Sequence, residues 1–131
     1  MQPMSALVTY CSRKKRRDKA PIHAIDRYVS VRIEKVWRRA NAENRTMLIL
    51  SGLLGLIRPD TLIRFYDKPL LPQDVGQMVD LVAHQLLWLK VGSVEYVTED
   101  IWTEVQVRPY HDLLAAACKR ERVKMVITDA P

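Results

Sequence analysis

Short apolar runs alternate with longer segments of helical periodicity along this chain. The runs Ala6–Tyr10, Thr46–Leu50, Val94–Val97 and Lys124–Thr128 are β-prone and bounded by polar residues, which predicts four strands. Between them, apolar residues recur at every third or fourth position, which predicts three helices. Strands that alternate with helices favour an α/β fold. We expect a three-layer sandwich with a mostly parallel sheet of about four strands, in the order β-α-β-α-β-α-β.

The three predicted helices differ in how clearly they begin and end. The first runs from Ile25 to about Asn41, and one face carries an apolar stripe of Val29, Ile33, Val36 and Ala40. The second begins at Pro72, a residue suited to a first helical turn, and stops near Gly92. The third opens near Pro109.

A long connection follows the second predicted strand. From Ser51 to Leu71 no pattern of either period is evident, which predicts a loop of about twenty residues. Loops of that length inside a compact domain are usually functional. In a parallel sheet all strand exits face one edge, and ligands bind beyond it. Four segments would then share that rim: Tyr10–Ser12, Leu50–Gly52, Thr98–Asp100 and Thr128–Asp129.

The composition is that of one ordinary soluble domain. The chain has 131 residues, of which 48% are hydrophobic and 27% charged. No apolar run approaches the ~20 residues needed to span a bilayer, and the beginning lacks the pattern of a secretory signal. Cys11 and Cys118 lie in unrelated contexts, which indicates neither a disulfide framework nor a zinc site. These features predict a protein of the reducing cytoplasm.

The charge adds a candidate partner. The formal net charge is +6 and the pI is about 9.5, a balance that permits phosphate or nucleic-acid ligands. Five successive cations follow the first strand: Arg13, Lys14, Lys15, Arg16 and Arg17. This segment is an anion-binding loop on one interpretation and a solvated basic loop on another. It is not a Walker loop, because no Gly-x-x-x-x-Gly-Lys-Ser/Thr motif is present.

Several motifs occur in the same order as in a family of small, poorly characterised α/β proteins, which this chain resembles. They comprise a Cys-Ser-x-Lys loop, Ala-Pro, Tyr-x-Ser, a strand ending in Ser-Gly-x-x-Gly-Leu, Pro-Asp and Tyr-Asp-x-x-Leu. The corresponding segments here are Cys11–Lys14, Ala20–Pro21, Tyr28–Ser30, Leu50–Leu56, Pro59–Asp60 and Tyr66–Leu70. The chain departs from the pattern at Leu54, where the relatives often have tyrosine.

The Ser-Gly-x-x-Gly-Leu motif is also similar to one in the bacterial peroxide-stress proteins. A fainter version resembles the core domain of archaeosine synthase, a tRNA base-modification enzyme. The resemblance covers roughly the first half of the chain. It implies a shared fold and a shared pocket, and it implies no particular activity.

These observations predict a pocket for a nucleotide-like molecule or a nucleic-acid component. We expect ligand contacts from Ser12, Lys14, Ser51, Gly52, Gly55 and Tyr66. Asp67 is the candidate acid–base residue for base or glycosyl transfer. Each residue also has a structural interpretation. The Ser-Gly turn could be a tight strand exit, and the Tyr-Asp pair could pin the long loop.

The alternative is a non-catalytic nucleic-acid-binding or stress-response module. In that case Arg13, Lys15, Arg16 and Arg17 contact the phosphate backbone. No cofactor is indicated, and the scattered His23, His84 and His111 do not predict a metal site. The apolar helix after Pro72 is compatible with a homo-oligomer as well as with core packing.

Overall fold

The computed structural model describes residues 4–131 and shows a mixed α/β fold. The strands are β1 (Met4–Tyr10), β2 (Ile22–His23), β3 (Thr46–Ser51), β4 (Gly55–Ile57), β5 (Leu62–Ile63), β6 (Val91–Thr98) and β7 (Lys124–Asp129). The helices are α1 (Ala24–Arg27), α2 (Val31–Ala42), α3 (Val75–Trp88) and α4 (Arg108–Glu121).

The main sheet has five strands in the order β4-β3-β1-β6-β7. Strand β1 lies parallel to β3 and β6, and β6 lies parallel to β7, whereas β4 is antiparallel to β3. The predicted α/β class with a mostly parallel sheet is therefore confirmed. The carboxyl ends of β1, β3, β6 and β7 meet at one edge, which we call the carboxyl edge. Strands β2 and β5 form a separate antiparallel pair.

Apolar residues on both sides of the central strands form the core. From Ala6 to Cys11 every residue is buried, since β1 has neighbours on both sides and helices nearby. Helix α2 packs against β1 and β3, while α3 and α4 pack against each other. Helix α3 also contacts β4 and β6, and α4 contacts β7. This packing places the start of α4 beside the carboxyl edge.

The first predicted helix is two helices in the structure. Helix α1 ends at Arg27, and α2 begins after Ser30, whose hydroxyl accepts a hydrogen bond from the Ile33 N–H at 3.2 Å. That serine is an N-cap, a role for which its residue type is strongly preferred. The break leaves Val29 42% exposed, so its predicted place in the apolar stripe was wrong. Ile33 and Val36 are buried as expected.

The predicted loop from Ser51 to Leu71 was also wrong, because it contains β4 and β5. Gly55 has a φ of +75°, a left-handed conformation that reverses the chain after β3. Leu56 and Ile57 then pair antiparallel with Leu50 and Ile49. Two additional hydrophobic residues thereby extend the sheet.

Helix α3 ends earlier than predicted. Its last residue is Trp88, and Lys90 adopts a φ of +59°, while Gly92 lies inside β6 rather than at the helix stop. Leu87 and Trp88 are 63% and 76% exposed, so their side chains are accessible to a second copy of the chain. The homo-oligomer stays a prediction. Across residues 4–131, no helix combines the length and apolarity needed to cross a membrane.

Candidate functional site

A cavity of about 470 Å³ opens at the carboxyl edge, beyond the end of β1. Three segments that are far apart in the sequence line it: residues 10–13 with Lys15, residues 67–72 and the turn that leads into α4. Its volume lies within the range of about 300–1,000 Å³ typical of small-molecule sites. We call this space the β1 cavity.

Charged side chains surround the β1 cavity unevenly. Arg13, Lys15 and Lys68 contribute three cations to its lining, against the single carboxylate of Asp67. The Lys15 Nζ lies 4.7 Å from the centre of the Tyr66 ring, within reach of a cation–π interaction. Burial lowers the pKa of Lys15, and the charges of Cys11 and Asp67 oppose that effect. The lining therefore favours an anionic ligand.

The inner wall of the β1 cavity is apolar and aromatic. The rings of Tyr10 and Tyr110 lie 5.6 Å apart and are tilted by 32°. The Tyr110 hydroxyl oxygen accepts a hydrogen bond from the Leu70 N–H at 3.0 Å, which ties the long connection to α4. The Cys11 thiol lies 3.7 Å from the same oxygen. This wall suits a flat, partly apolar group.

Arg32 from α2 fixes the end of β1. Its guanidinium donates to the carbonyl oxygens of Tyr10 at 2.6 Å and Cys11 at 3.2 Å, and its central carbon lies 3.5 Å from the centre of the Tyr10 ring. Burial raises the pKa of Tyr10 to about 12; the Arg32 charge works against the rise and that of Glu99 adds to it. Tyr10 therefore stays a neutral phenol at physiological pH.

Ser51 belongs to a chain of three hydroxyl groups rather than to the cavity lining. Its oxygen accepts hydrogen bonds from the N–H groups of Leu53 at 3.1 Å and Leu54 at 3.0 Å. Both acceptor sites are then occupied, so its own proton must go to the Tyr66 oxygen at 2.7 Å. The hydroxyl groups of Tyr66 and Tyr28 share a further hydrogen bond of 2.5 Å. Burial raises the pKa of Tyr28 and of Tyr66, so both hydroxyls remain protonated.

We expect Ser51→Ala to destabilise the fold by about 1–2 kcal/mol, because the turn after β3 loses its acceptor and Tyr66 loses a donor. Tyr66→Phe should cost a similar amount. Since both changes break the same chain, the double variant should be destabilised by less than the sum of the two. Urea unfolding of the four proteins measures this coupling. Strict additivity would show that the hydroxyl chain contributes nothing as a unit.

The two glycines of the Ser-Gly turn also serve packing. A side chain at Gly52 would meet the Leu70 backbone, 3.1 Å from its nitrogen. A side chain at Gly55 would overlap the Gln85 amide, which accepts from the Leu56 N–H at 2.7 Å and donates to the Leu54 carbonyl at 3.1 Å. These two glycines therefore allow other residues of the protein to approach the backbone closely, rather than a ligand.

The basic segment after the cavity wraps around the buried Arg27, which has no exposed surface. That guanidinium donates to the carbonyl oxygens of Arg16, Asp18, Ala20 and Ile63 at 2.8–3.1 Å. Arg27 therefore gives the basic loop a fixed conformation.

The cations of this loop point to different surroundings. Arg16 forms an ion pair with Asp18 at 2.9 Å. The Arg17 guanidinium lies 5.2 Å from the centre of the Phe65 ring, which is 36% exposed. The backbone carbonyl of Lys14 accepts from the Val29 N–H at 2.9 Å and from the Ser12 hydroxyl at 2.7 Å. Lys14, Arg16 and Arg17 do not line the β1 cavity.

A second cavity of about 640 Å³ lies at the ends of β6 and β7. Its lining includes Glu99, Asp100, Glu104 and Asp129, and its charge is therefore opposite to that of the β1 cavity. The Arg108 guanidinium covers the exposed Trp102 ring at 4.5 Å. Within residues 4–131, no three His, Cys, Asp or Glu side chains gather in a way that could hold a metal ion.

The structure thus brings together some of the predicted site residues and separates others. Ser12, Arg13, Lys15 and Asp67 meet at the β1 cavity. Ser51, Gly52, Gly55 and Tyr66 lie behind it, in the support of the turn after β3. Sequence reasoning did not select three residues that define the site: Cys11, Arg32 and Tyr110. The Cys-Ser-x-Lys motif was a signal for the first, but nothing local marks the other two.

The fold and the cavity define a mixed α/β protein with a cationic cavity at the carboxyl edge of a mostly parallel sheet. A family model matches residues 6–88, which is more than half of the chain. The protein therefore belongs to DUF6884, a family of unknown function. The match includes Cys11, Lys15 and Asp67 but not Tyr110. Comparison with curated proteins and with solved structures gave no match.

Proposed function

We propose that the β1 cavity binds a nucleotide-like molecule or a nucleic-acid component. The observation that carries this proposal is the combination of three cations, Arg13, Lys15 and Lys68, with an apolar and aromatic wall in one cavity of about 470 Å³. Cations suit a phosphate group, and the wall suits a base. The sequence predicted Lys14 as a ligand contact, but Lys14 does not line the cavity, and Arg13, Lys15 and Lys68 bind the phosphate in this proposal.

Asp67 supplies the polar specificity in this proposal. Its carboxylate belongs to the cavity lining, where it could accept hydrogen bonds from a ribose hydroxyl or a base edge. If the protein is an enzyme, Asp67 is the acid–base residue for base or glycosyl transfer. The resemblance of the Ser-Gly motif to peroxide-stress proteins and the archaeosine synthase core supports this direction. We also propose that helices cover both faces of the sheet, as a three-layer sandwich requires.

The test is a titration with the four nucleoside monophosphates and with the matching nucleosides, followed by calorimetry. We expect a monophosphate to bind at least about tenfold more tightly than its nucleoside, because only the monophosphate engages the cations. Lys15→Met should abolish that preference. Lys19→Met removes an equal charge from an exposed position of the same loop and should retain the preference. Equal binding by both variants, or no binding at all, would overturn the proposal.

A second candidate function is binding of single-stranded nucleic acid on the outside of the basic loop. The exposed Phe65 ring under Arg17 favours it, since nucleic-acid surfaces combine cations with stacking rings. Oligonucleotide affinity would then fall with salt by a log–log slope of about −0.7 per phosphate contact. Arg17→Ala and Phe65→Ala would weaken it while sparing monophosphate binding. A salt-resistant monophosphate complex without oligonucleotide binding would exclude this candidate.

A further inference from the structure

The two edges of the main sheet differ in length and in exposure. Strand β4 forms one edge, and its three residues are all buried. Strand β7 forms the other edge with six residues, none of which is buried, and Val126 and Ile127 are each 47% exposed. Proteins usually shorten or cover their edge strands, because an exposed edge pairs readily with another chain. Among residues 4–131 nothing covers β7 in this way, so it is a candidate interaction surface.

The outer side of β7 carries backbone hydrogen-bonding groups. The Ala130 N–H donates to the Thr98 carbonyl oxygen of β6 at 3.0 Å. Successive residues of a strand direct these groups to opposite sides, so the groups of Thr128 and Val126 also face β6. The residues between them direct their N–H and C=O groups away from the sheet: Met125, Ile127 and Asp129. A further strand that pairs with β7 would satisfy these groups.

Charges of opposite sign lie at the two ends of β7. Exposed cations surround its beginning: Lys119, Arg120, Arg122 and Lys124. Carboxylates surround its end, in the lining of the second cavity: Glu99, Asp100, Glu104 and Asp129. Within residues 4–131 none of these carboxylates forms an ion pair, and of the cations only Arg120 does, with Asp80. An antiparallel copy of the strand would place each basic end beside the partner's acidic end.

We propose that β7 pairs antiparallel with β7 of a second copy of the chain, across a two-fold axis. The two five-stranded sheets then form one continuous sheet. The opposite charges at the ends of β7 favour a second copy as the partner, because they make the strand complementary to itself. No residue of β7 lines the β1 cavity, so this dimer does not depend on the proposed function.

The two-fold axis restricts the register of the pairing. Residues that lie directly opposite in an antiparallel pair share a face of the sheet, so the axis must pass between two copies of the same residue. Two centres pair five of the six residues of β7, namely Val126 and Ile127. With Ile127 at the centre, Met125 lies opposite the partner's Asp129, and an apolar side chain then faces a carboxylate.

The register centred on Val126 is chemically better matched. It places Lys124 opposite the partner's Thr128, whose hydroxyl donates to Glu95 at 3.2 Å in each copy. The Lys124 amine thereby approaches a carboxylate. The same register sets Met125 opposite the partner's Ile127, so two apolar side chains meet. We therefore expect the axis to pass between the two copies of Val126.

Sedimentation velocity of the full chain at about 1–100 μM tests the proposal. We expect a reversible equilibrium between monomer and dimer in this range. Val126→Lys sets two like charges against each other at the axis and should raise the dissociation constant of the dimer by at least about tenfold. Val31→Lys makes the same change at a valine of α2 that is 68% exposed, and it should leave the constant unchanged.

Charge reversal tests the antiparallel arrangement. Lys124→Glu brings a carboxylate towards the partner's Glu95 and should weaken the dimer by about tenfold, because symmetry repeats the unfavourable contact. Lys35→Glu reverses the same charge at an exposed position of α2 and should have no effect on the dimer. Equal dissociation constants for these two variants would overturn the proposal.

Introduced cysteines test the register. Val126→Cys places two thiols across the axis with their Cα atoms about 4.5 Å apart, within the range of a disulfide. In Ile127→Cys the two thiols are displaced by two residues, or ~7 Å, along the strands. Oxidation of the folded protein should therefore cross-link the first variant and not the second. The native Cys11 and Cys118 are buried, and their protection is the control for unfolding.

Further results would overturn the proposal. They are a chain that stays monomeric at about 100 μM, equal dimers of Val126→Lys and Val31→Lys, and preferential cross-linking of Ile127→Cys. The exposed end of α3 is another surface open to a second copy, and Trp88→Lys disrupts it. A dimer that only Trp88→Lys dissociates would place the contact on α3 and would also overturn the proposal.

Discussion

Arg27→Met is expected to lower the free energy of unfolding by about 3–5 kcal/mol. Each buried carbonyl oxygen that is left without a donor costs about 1–3 kcal/mol, and rearrangement of the loop recovers part of this loss. The guanidinium is fully buried, and it donates to four backbone carbonyl oxygens, three in the basic loop and one in β5. Methionine fills much of the same volume but donates nothing. Thermal and urea unfolding should both report the change, with a melting temperature lower by about 10–20 °C.

Arg38→Met is the matched control, since it makes the same substitution at an exposed arginine. Within residues 4–131, Arg38 pairs only with Glu34, one turn earlier in α2, and such pairs contribute about 0.3–0.5 kcal/mol. Trypsin should cleave the basic loop of Arg27→Met faster than that of the control, because the loop depends on Arg27 for its conformation. Equal stability of the two variants would contradict the role given to Arg27.

Acid should destabilise the protein partly through Glu95 on β6. Arg39 and then Arg45 hydrogen-bond its carboxylate at 2.7–3.0 Å and lower its pKa to about 2. A folded-state pKa below the unfolded value means that the stabilisation is complete above about pH 5 and is lost as the pH falls towards 2. Because the arginines are partly exposed, we expect a contribution of about 2 kcal/mol rather than the full linkage value.

Glu95→Gln checks this expectation by urea unfolding at a series of pH values. The variant should be about 2 kcal/mol less stable at pH 7, and the difference should largely vanish near pH 2, where the wild-type carboxylate is also protonated. Glu34→Gln removes an exposed carboxylate from the same region and should change stability by less than about 0.5 kcal/mol. A Glu95→Gln difference that persists unchanged in acid would contradict the proposed linkage.

Local patterns predicted the principal elements because those elements are stabilised by their own buried faces. The run from Ala6 to Tyr10 is buried throughout and hydrophobic except for Thr9, as expected for a central strand with cover on both faces. Pro72 marked the beginning of the second predicted helix, because the fixed φ of proline suits a first helical turn. In the structure this first turn is a 3₁₀ turn, and α3 follows it. The hairpin at Gly55 was missed because three residues are too few to show a period, and only pairing with β3 makes them a strand.

The candidate site was predicted in part. Chain topology brings strand exits to the same edge, and the structure places Ser12, Arg13, Lys15 and Asp67 at one cavity there. Their roles in binding stay predictions. The side-chain directions could not be predicted. Ser51 is the last residue of β3 and Lys15 lies in the loop after β1, yet Ser51 hydrogen-bonds inward to Tyr66 and Lys15 lines the cavity. That choice depends on hydrogen-bond partners supplied by distant segments.

The sequence by itself determined the alternation of strands and helices, the excess of positive charge and the position of the basic loop, since each is a property of neighbouring residues. Tertiary structure alone decided the β1 cavity. Cys11 and Tyr110 are 99 residues apart, and their contact exists only because α4 packs beside the end of β1. Arg27 is a second example of a feature that only the tertiary structure decided. Its charge is evident in the sequence, but its burial follows from the three loop carbonyls and the β5 carbonyl that surround it.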